Sequence, residues 1–214
     1  MFLKIIIAVI LLAVLIHYSI KFAKHKSLYP FMPFKYNFRR RRITFSKTLK
    51  LLEQRNAKVI IETGTSREGL KATKGDGAAT IVFGKWAKQN GAQMHSVDIS
   101  EDSVKGSQSE VDNQNLNDVV TVYLNDSLVF LKTFDQSVDF LYLDSYDYSK
   151  TDKEIQTKSQ EHHLKEFKII EDKLHKNSIV LIDDCGLPGG GKGKTVIEYM
   201  LKKNWKVLID AYQV

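Results

Sequence analysis

The chain has 214 residues, 43% of them hydrophobic, which is room for one α/β domain with an ordinary core and little more. A single cysteine, Cys185, excludes an internal disulfide and any cysteine-based zinc cluster, and agrees with a reducing compartment. The formal charge of +7 is unevenly spread: between Lys21 and Arg55 eleven Lys/Arg face one acid, Glu53, for a net +10, or +11 with Lys4, so residues 57–214 carry −4.

The first predicted element is a membrane anchor. Residues 2–20 are apolar except for Lys4, His17 and Ser19, and as a helix they would span roughly 28 Å, close to the thickness of a bilayer's hydrocarbon core. The rival, a cleaved signal peptide, has only Lys4 and the α-amine as its basic region and no small-x-small cleavage site in "HYSIKFAKHK". With the basic run behind the anchor, the positive-inside rule puts the large domain on the cytoplasmic face of a single-pass protein. "RRRR" at 39–42 suggests nucleic acid when taken alone. Beside an anchor it is better explained as a topology signal and an attraction to anionic lipid headgroups, and the mildly acidic remainder makes a nucleic-acid partner less favoured still.

"YPFMPF" at 29–34 holds two of the three prolines and reads as a linker, and "TFSKTLKLLEQRN" at 44–56 has helical spacing in Phe45, Leu49 and Leu52. The expected division is an anchor at 1–20, a basic juxtamembrane linker and short helix at 21–56, and the main domain at 57–214. In that domain the predicted strands are 58–62, 93–99, 119–124, 138–144, 178–184 and 205–210. Helical patterns lie between them: "ATIVFGKWAKQN", a polar stretch at 100–116, "DSLVFLKTF", "HHLKEFKIIEDKLHK" and "KTVIEYMLKK". This alternation predicts an α/β fold, a doubly wound, mostly parallel, Rossmann-like sheet with helices on both faces.

Each of the first five strands ends in or just before a carboxylate: Glu62, Asp98, Asp126, Asp144 and the pair Asp183 and Asp184. In a doubly wound sheet these ends share one edge, where ligands bind. Like charges crowded there need a ligand, a metal or helix N-termini to compensate them. In "IIETGTS" (60–66) Gly64 lets the backbone turn sharply and approach a ligand. Asp98 is placed to accept from a ribose diol, and Asp126 at a strand-to-helix corner is equally suited to N-capping.

"VIIETGTS", "MHSVDIS", "YLNDSLVFL", "FLYLDSYDY" and "IVLIDDCG" together resemble, in order, the strand-end motifs of class I S-adenosylmethionine-dependent methyltransferases over residues 57–214, and most closely the small-molecule O-methyltransferases of the catechol, caffeoyl-CoA and macrocin types. The resemblance implies that Glu62 and Gly64, with Thr65 and Ser66 in the same motif, border the methionine part of the cofactor. It further implies that Asp98 holds the ribose, that Asp126 and Ser127 lie near the adenine, and that Asp144 sits by the reacting methyl group. In the catechol type a divalent cation is held by a strand-four acid and a pair after strand five; Asp144, Asp183 and Asp184 stand at those positions, an oxygen set suited to Mg²⁺. A metal-free enzyme needs a base, for which His162 or His163 is a candidate, the alternative being that both sit in a solvated first helical turn. The catalytic candidates are thus Asp144, Asp183 and His163, and the implied acceptor is a small molecule, a sugar or a lipid-linked compound. Two departures stand out. "TSREGLKATKGDGAAT" (65–80) delays the first helix to about Asp76, an expected N-cap, and the chain stops soon after "WKVLIDAYQV".

The glycine-rich stretch "GLPGGGKGKT" (186–195) imitates a nucleotide P-loop, which would make the chain a hydrolase or kinase. Both registers of the pattern fail by one residue: Pro188 stands where the first glycine belongs, and Gly193 follows Lys192 where Ser or Thr is required. The stretch is better taken as a flexible rim beside Asp183 and Asp184, with Lys192 and Lys194 available to an anionic acceptor. A non-catalytic, membrane-tethered scaffold is the other alternative; a nicotinamide-dependent dehydrogenase would require a G-x-G-x-x-G that the first strand lacks.

Overall fold

The computed structural model describes residues 2–25 and 29–214; Lys26, a member of the basic run, lies outside the described residues. Helix α1 (Phe2–His25) is an apolar rod, and its stretch Phe2–Ile20 has a mean hydropathy of 2.5 and no buried share. It is the one helix among the described residues long and apolar enough to cross a membrane.

Helix α2 (Arg41–Gln54) leads into five parallel strands: β1 (Val59–Thr63), β2 (Gln93–Asp98), β3 (Val120–Leu124), β4 (Val138–Leu143) and β5 (Leu174–Ile182). They lie in the order β3-β2-β1-β4-β5. The intervening helices are α3 (Ala79–Asn90), α4 (Glu101–Asn113), α5 (Ser127–Thr133), α6 (Lys153–Ile170) and, after β5, α7 (Lys194–Lys202). The fold is therefore the doubly wound α/β architecture that the alternation of elements predicts.

The two-residue period of each strand divides its side chains between two apolar layers. Ile60, Phe140 and Tyr142 join Phe45, Phe83 and Trp86 on one face, while Ile61, Leu141 and Leu143 join Phe167, Ile170 and Val196 on the other. The segment 29–56 belongs to the first layer: Met32, Phe38, Phe45 and Leu52 are fully buried, and the Phe45 ring meets Phe83 and Tyr142 edge-on at 5.0 and 6.0 Å. Arg42 secures this segment by donating to the carbonyls of Met32 and Tyr36 at 2.6 and 2.5 Å, with its guanidinium over the rings of Tyr29, Phe34 and Phe38.

Four local expectations are corrected. "WKVLID" at 205–210 forms no strand; Val214 instead exchanges both backbone hydrogen bonds with Ile182, and Gly186 donates to Tyr212, so the tail runs back beneath the site. Asp76 does not cap α3, whose N-terminus follows Ala78 in a left-handed conformation; its carboxylate accepts from the Arg67 amide at 2.8 Å. Helix α6 begins at Lys153, capped by Asp152, so His162 and His163 lie in its middle and not in a first turn. Strand β5 starts at Leu174, taking up residues that the periodicity assigns to the end of the preceding helix.

Because Phe45 fills the layer between α2, α3 and β4, Phe45→Ala should lower unfolding free energy by about 3–5 kcal/mol. Urea unfolding of the full chain in detergent micelles measures this, and a loss below about 1 kcal/mol would show that α2 is peripheral to the core.

Candidate functional site

The winding reverses between β1 and β4, and the crevice at their C-terminal ends is where an open α/β sheet binds ligands. A cavity of about 350 Å³ lies there, with Gly64, Thr65, Asp98, Asp144, Asp183 and Lys192 in its wall. A larger cavity of about 680 Å³ runs along the outer edge of β5 between α2 and α7, away from the carboxylates. The smaller one is taken as the site because it is where the charged groups converge.

Gly64 makes the crevice tight. Its φ is +82°, and a Cβ there would come within 2.4 Å of the Asp144 carbonyl oxygen, so β1 and β4 approach each other at this point only because the residue is glycine. Asp98 accepts from the amides of Thr65 at 3.1 Å and Ser100 at 2.8 Å, which ties the end of β2 to the first loop. Below them Glu62 is 1% exposed and accepts from the hydroxyls of Thr80 at 2.6 Å and Ser96 at 2.5 Å. Burial pushes its carboxyl up to about 8 against the pull of those two hydrogen bonds. Glu62 thus supports the loop from the interior and is not in the cavity wall. Ser66 is likewise buried, its amide donating to Thr80 at 3.0 Å.

The far wall is an ion cluster. One oxygen from each of Asp144, Asp183 and Asp184 lies within 4.8 Å of the others, an arrangement whose donors suit a hard cation. Two side chains already engage them. Arg41 forks onto Asp183, with Nη2 at 2.6 Å and Nε at 3.1 and 3.2 Å, and reaches Asp184 at 3.3 Å. The Lys192 Nζ stands 2.5 Å from Asp144 and 3.8 Å from Asp184. Gln213 Nε2 donates to Asp183 at 2.8 Å, its Oε1 accepts from Thr44, and the Tyr212 hydroxyl donates to Asp184. With both cations seated, the residues present do not fit a divalent ion as well.

Burial alone would raise the Asp183 carboxyl, but the guanidinium beside it holds it below the usual range. Asp144, half-buried in the cavity wall, is raised by its partial loss of water and by Asp183 beside it, with Lys192 opposing. Burial would lower Lys192, and the three acids outweigh it, so the ammonium stays charged.

The remaining sequence candidates lie elsewhere. Asp126 caps α5, accepting from Leu128 at 2.8 Å and Val129 at 3.1 Å. Ser127 is buried against His162 at 3.2 Å. His163 is fully buried with Nδ1 on the Ser159 carbonyl at 2.7 Å, and burial pushes it down to about 4, so its ring is neutral. None of the three lines the cavity. Cys185 is a structural thiol, pushed up to about 12 by burial. Arg41 is the site residue that sequence reasoning missed: in "RRRR" it looks like three neighbours that have other roles, and only an acidic strand edge in need of compensation pointed to it.

Comparison with known proteins agrees with this geometry. Residues 74–185, more than half of the chain, match the family model described as a methyltransferase domain. The chain belongs to that family and is a methyltransferase. No curated protein matches it significantly in sequence. Among solved structures it is similar to an S-adenosylhomocysteine-bound methyltransferase from Podospora anserina, at 17% identity and TM-score 0.56 over 79% of this chain and 72% of that one. It is also similar to an O-methyltransferase from Bacillus cereus with the same ligand, at 16% identity and TM-score 0.52 over 76% and 70%. A candidate caffeoyl-CoA O-methyltransferase from Staphylococcus aureus matches at 17% identity and TM-score 0.50 over 66% of this chain, which spans 57% of that one. At these identities the likeness establishes the fold.

A carboxyl raised in the folded state stabilises below its unfolded value and loses that contribution as pH rises through the folded one. For Glu62 the window runs from its ordinary 4.5 to about 8, with a slope of about 1.4 kcal/mol per pH unit. Glu62→Gln, which keeps an acceptor for Thr80 and Ser96, should therefore gain on the wild type steadily between pH 5 and 8 in paired thermal melts. A constant difference would mean that the carboxyl is not protonated in the folded protein.

Proposed function

We propose that the chain is a membrane-anchored O-methyltransferase that uses S-adenosylmethionine and acts at the cytoplasmic face on a small-molecule, sugar or lipid-linked hydroxyl. The observation that carries this is the cavity at the winding reversal, with the Gly64–Thr65 turn and Asp98 on one side and Asp144 on the other. When bound, the cofactor supplies an activated sulfonium methyl group.

The chain's part is to hold and align. Each Asp98 oxygen accepts one backbone amide and keeps a further lone pair for a ribose hydroxyl. The Gly64 turn gives the methionine end close access to backbone. Asp144, at the end of β4, lies on the acceptor side. Its Lys192 partner keeps that wall from being a bare anionic surface, and in-line alignment of donor and acceptor supplies much of the rate. Asp126 and Ser127 act here through the placement of α5 and not by direct contact, and His163 serves the packing of α6. Among the described residues of the segment after α1, Lys35, Arg39, Arg40, Lys47 and Lys50 are exposed and available to meet anionic lipid. The acidic wall makes a nucleic-acid acceptor a poor fit.

In detergent micelles the full chain should melt higher with S-adenosylhomocysteine, and Asp98→Ala should weaken binding of that product by about tenfold or more in calorimetry, the effect of losing a charged hydrogen-bond acceptor. No stabilisation by the product, or equal affinity in the variant, contradicts the proposal.

A further inference from the structure

We infer that Lys192 and Arg41 are built-in cations standing where the resembling catechol-type enzymes hold a divalent metal, so that the acceptor end of this site takes no metal ion. The inference rests on the function proposed above, because it concerns that site's acceptor side. Its observations are geometric.

The three carboxylates converge closely enough to share one hard cation, yet each already has a positive partner. Asp183 has the Arg41 fork, Asp144 has Lys192, and Asp184 lies 3.3 Å from the one and 3.8 Å from the other. Both cations are deep, with side-chain exposures of 7% for Arg41 and 4% for Lys192. A metal ion would have to expel them, and a buried cation without its carboxylate is strongly unfavourable.

The surrounding structure is shaped to deliver these two side chains. Arg41 passes over Gly77, where a Cβ would come within 2.7 Å of its Cδ, and its Nη1 donates to the Gly75 carbonyl at 2.9 Å. The loop that delays the first helix thus forms a guide for the guanidinium, and the Tyr212 ring faces it at 5.0 Å. Lys192 is carried inward by Gly189, Gly190 and Gly191, all with positive φ. A Cβ on Gly191 would fall 1.9 Å from the Asp184 carbonyl oxygen, so only glycine lets the loop fold back on the acids. Gln160 fixes the loop by donating to the carbonyls of Gly189 and Gly191 at 3.2 and 3.0 Å, and the Tyr148 hydroxyl donates to Pro188 at 2.7 Å. The glycine stretch is therefore a pinned device that inserts one ammonium group, and no flexible rim. A consequence follows for the acceptor: with no ion to chelate, a single hydroxyl suffices and a vicinal diol is not required.

Titration of the full chain in micelles with Mn²⁺, followed by the electron paramagnetic resonance signal of the free ion, tests this independently of cofactor binding. The wild type should show no site tighter than about 1 mM, while Lys192→Met and Arg41→Met, each confirmed folded by circular dichroism, should gain one site at least about tenfold tighter. Lys192→Gln and Arg41→Gln replace any methionine variant that does not fold. One tight Mn²⁺ per wild-type chain, abolished by Asp183→Asn, overturns the inference. So does a failure of every folded variant to gain a site, because the acids would then not be a cation position at all.

Discussion

The structure depends on keeping an edge of carboxylates from repelling itself, and the contact that accomplishes most of this is Arg41 on Asp183. Both groups are almost wholly removed from water, where an isolated ion is disfavoured by several kcal/mol and only a well-formed pair with further hydrogen bonds is tolerable. The pair has those bonds, from Gln213 to the acid and from the guanidinium to Gly75. Because Arg41 opens α2 and Gln213 lies in the last residues of the chain, the cluster joins both ends of the described domain to the middle of its sheet.

The other strand-end acids are settled in different ways. Glu62 is surrounded by hydroxyls and held protonated by burial. Asp98 and Asp126 accept backbone amides at the entrances of loops or helices. Asp144 has Lys192 and Asp184 has the Tyr212 hydroxyl. A row of five similar motifs therefore contains one interior hydrogen-bond acceptor, two backbone anchors and one ion cluster. Only Asp98 and the cluster face the cavity.

This variety explains what the sequence reveals. The five strands and their order of acids were legible because buried parallel strands are apolar runs and the acids punctuate them. The division of labour among the acids was not, since it is set by partners far along the chain. Arg41 lies 142 positions from Asp183 and hides in a run of four arginines, two of which, Arg39 and Arg40, remain exposed. Lys192 was visible as part of a near P-loop, but its inward direction depends on three left-handed glycines and on Gln160. "WKVLID" looks like a strand because of its apolar content, yet Val214 takes the pairing next to Ile182. His163 lies in the core because α6 begins ten residues before it.

The segment that follows the apolar helix is thus also the segment that completes the site. The most direct test of a metal-free site completed by Arg41 and Lys192 is a crystal structure of the full chain with S-adenosylhomocysteine, grown in Mn²⁺. The product should lie in the cavity bounded by Gly64, Thr65 and Asp98, with Arg41 and Lys192 still seated on the acids and no anomalous peak among Asp144, Asp183 and Asp184. Product bound elsewhere, or manganese at the three acids with Lys192 turned away, would contradict it.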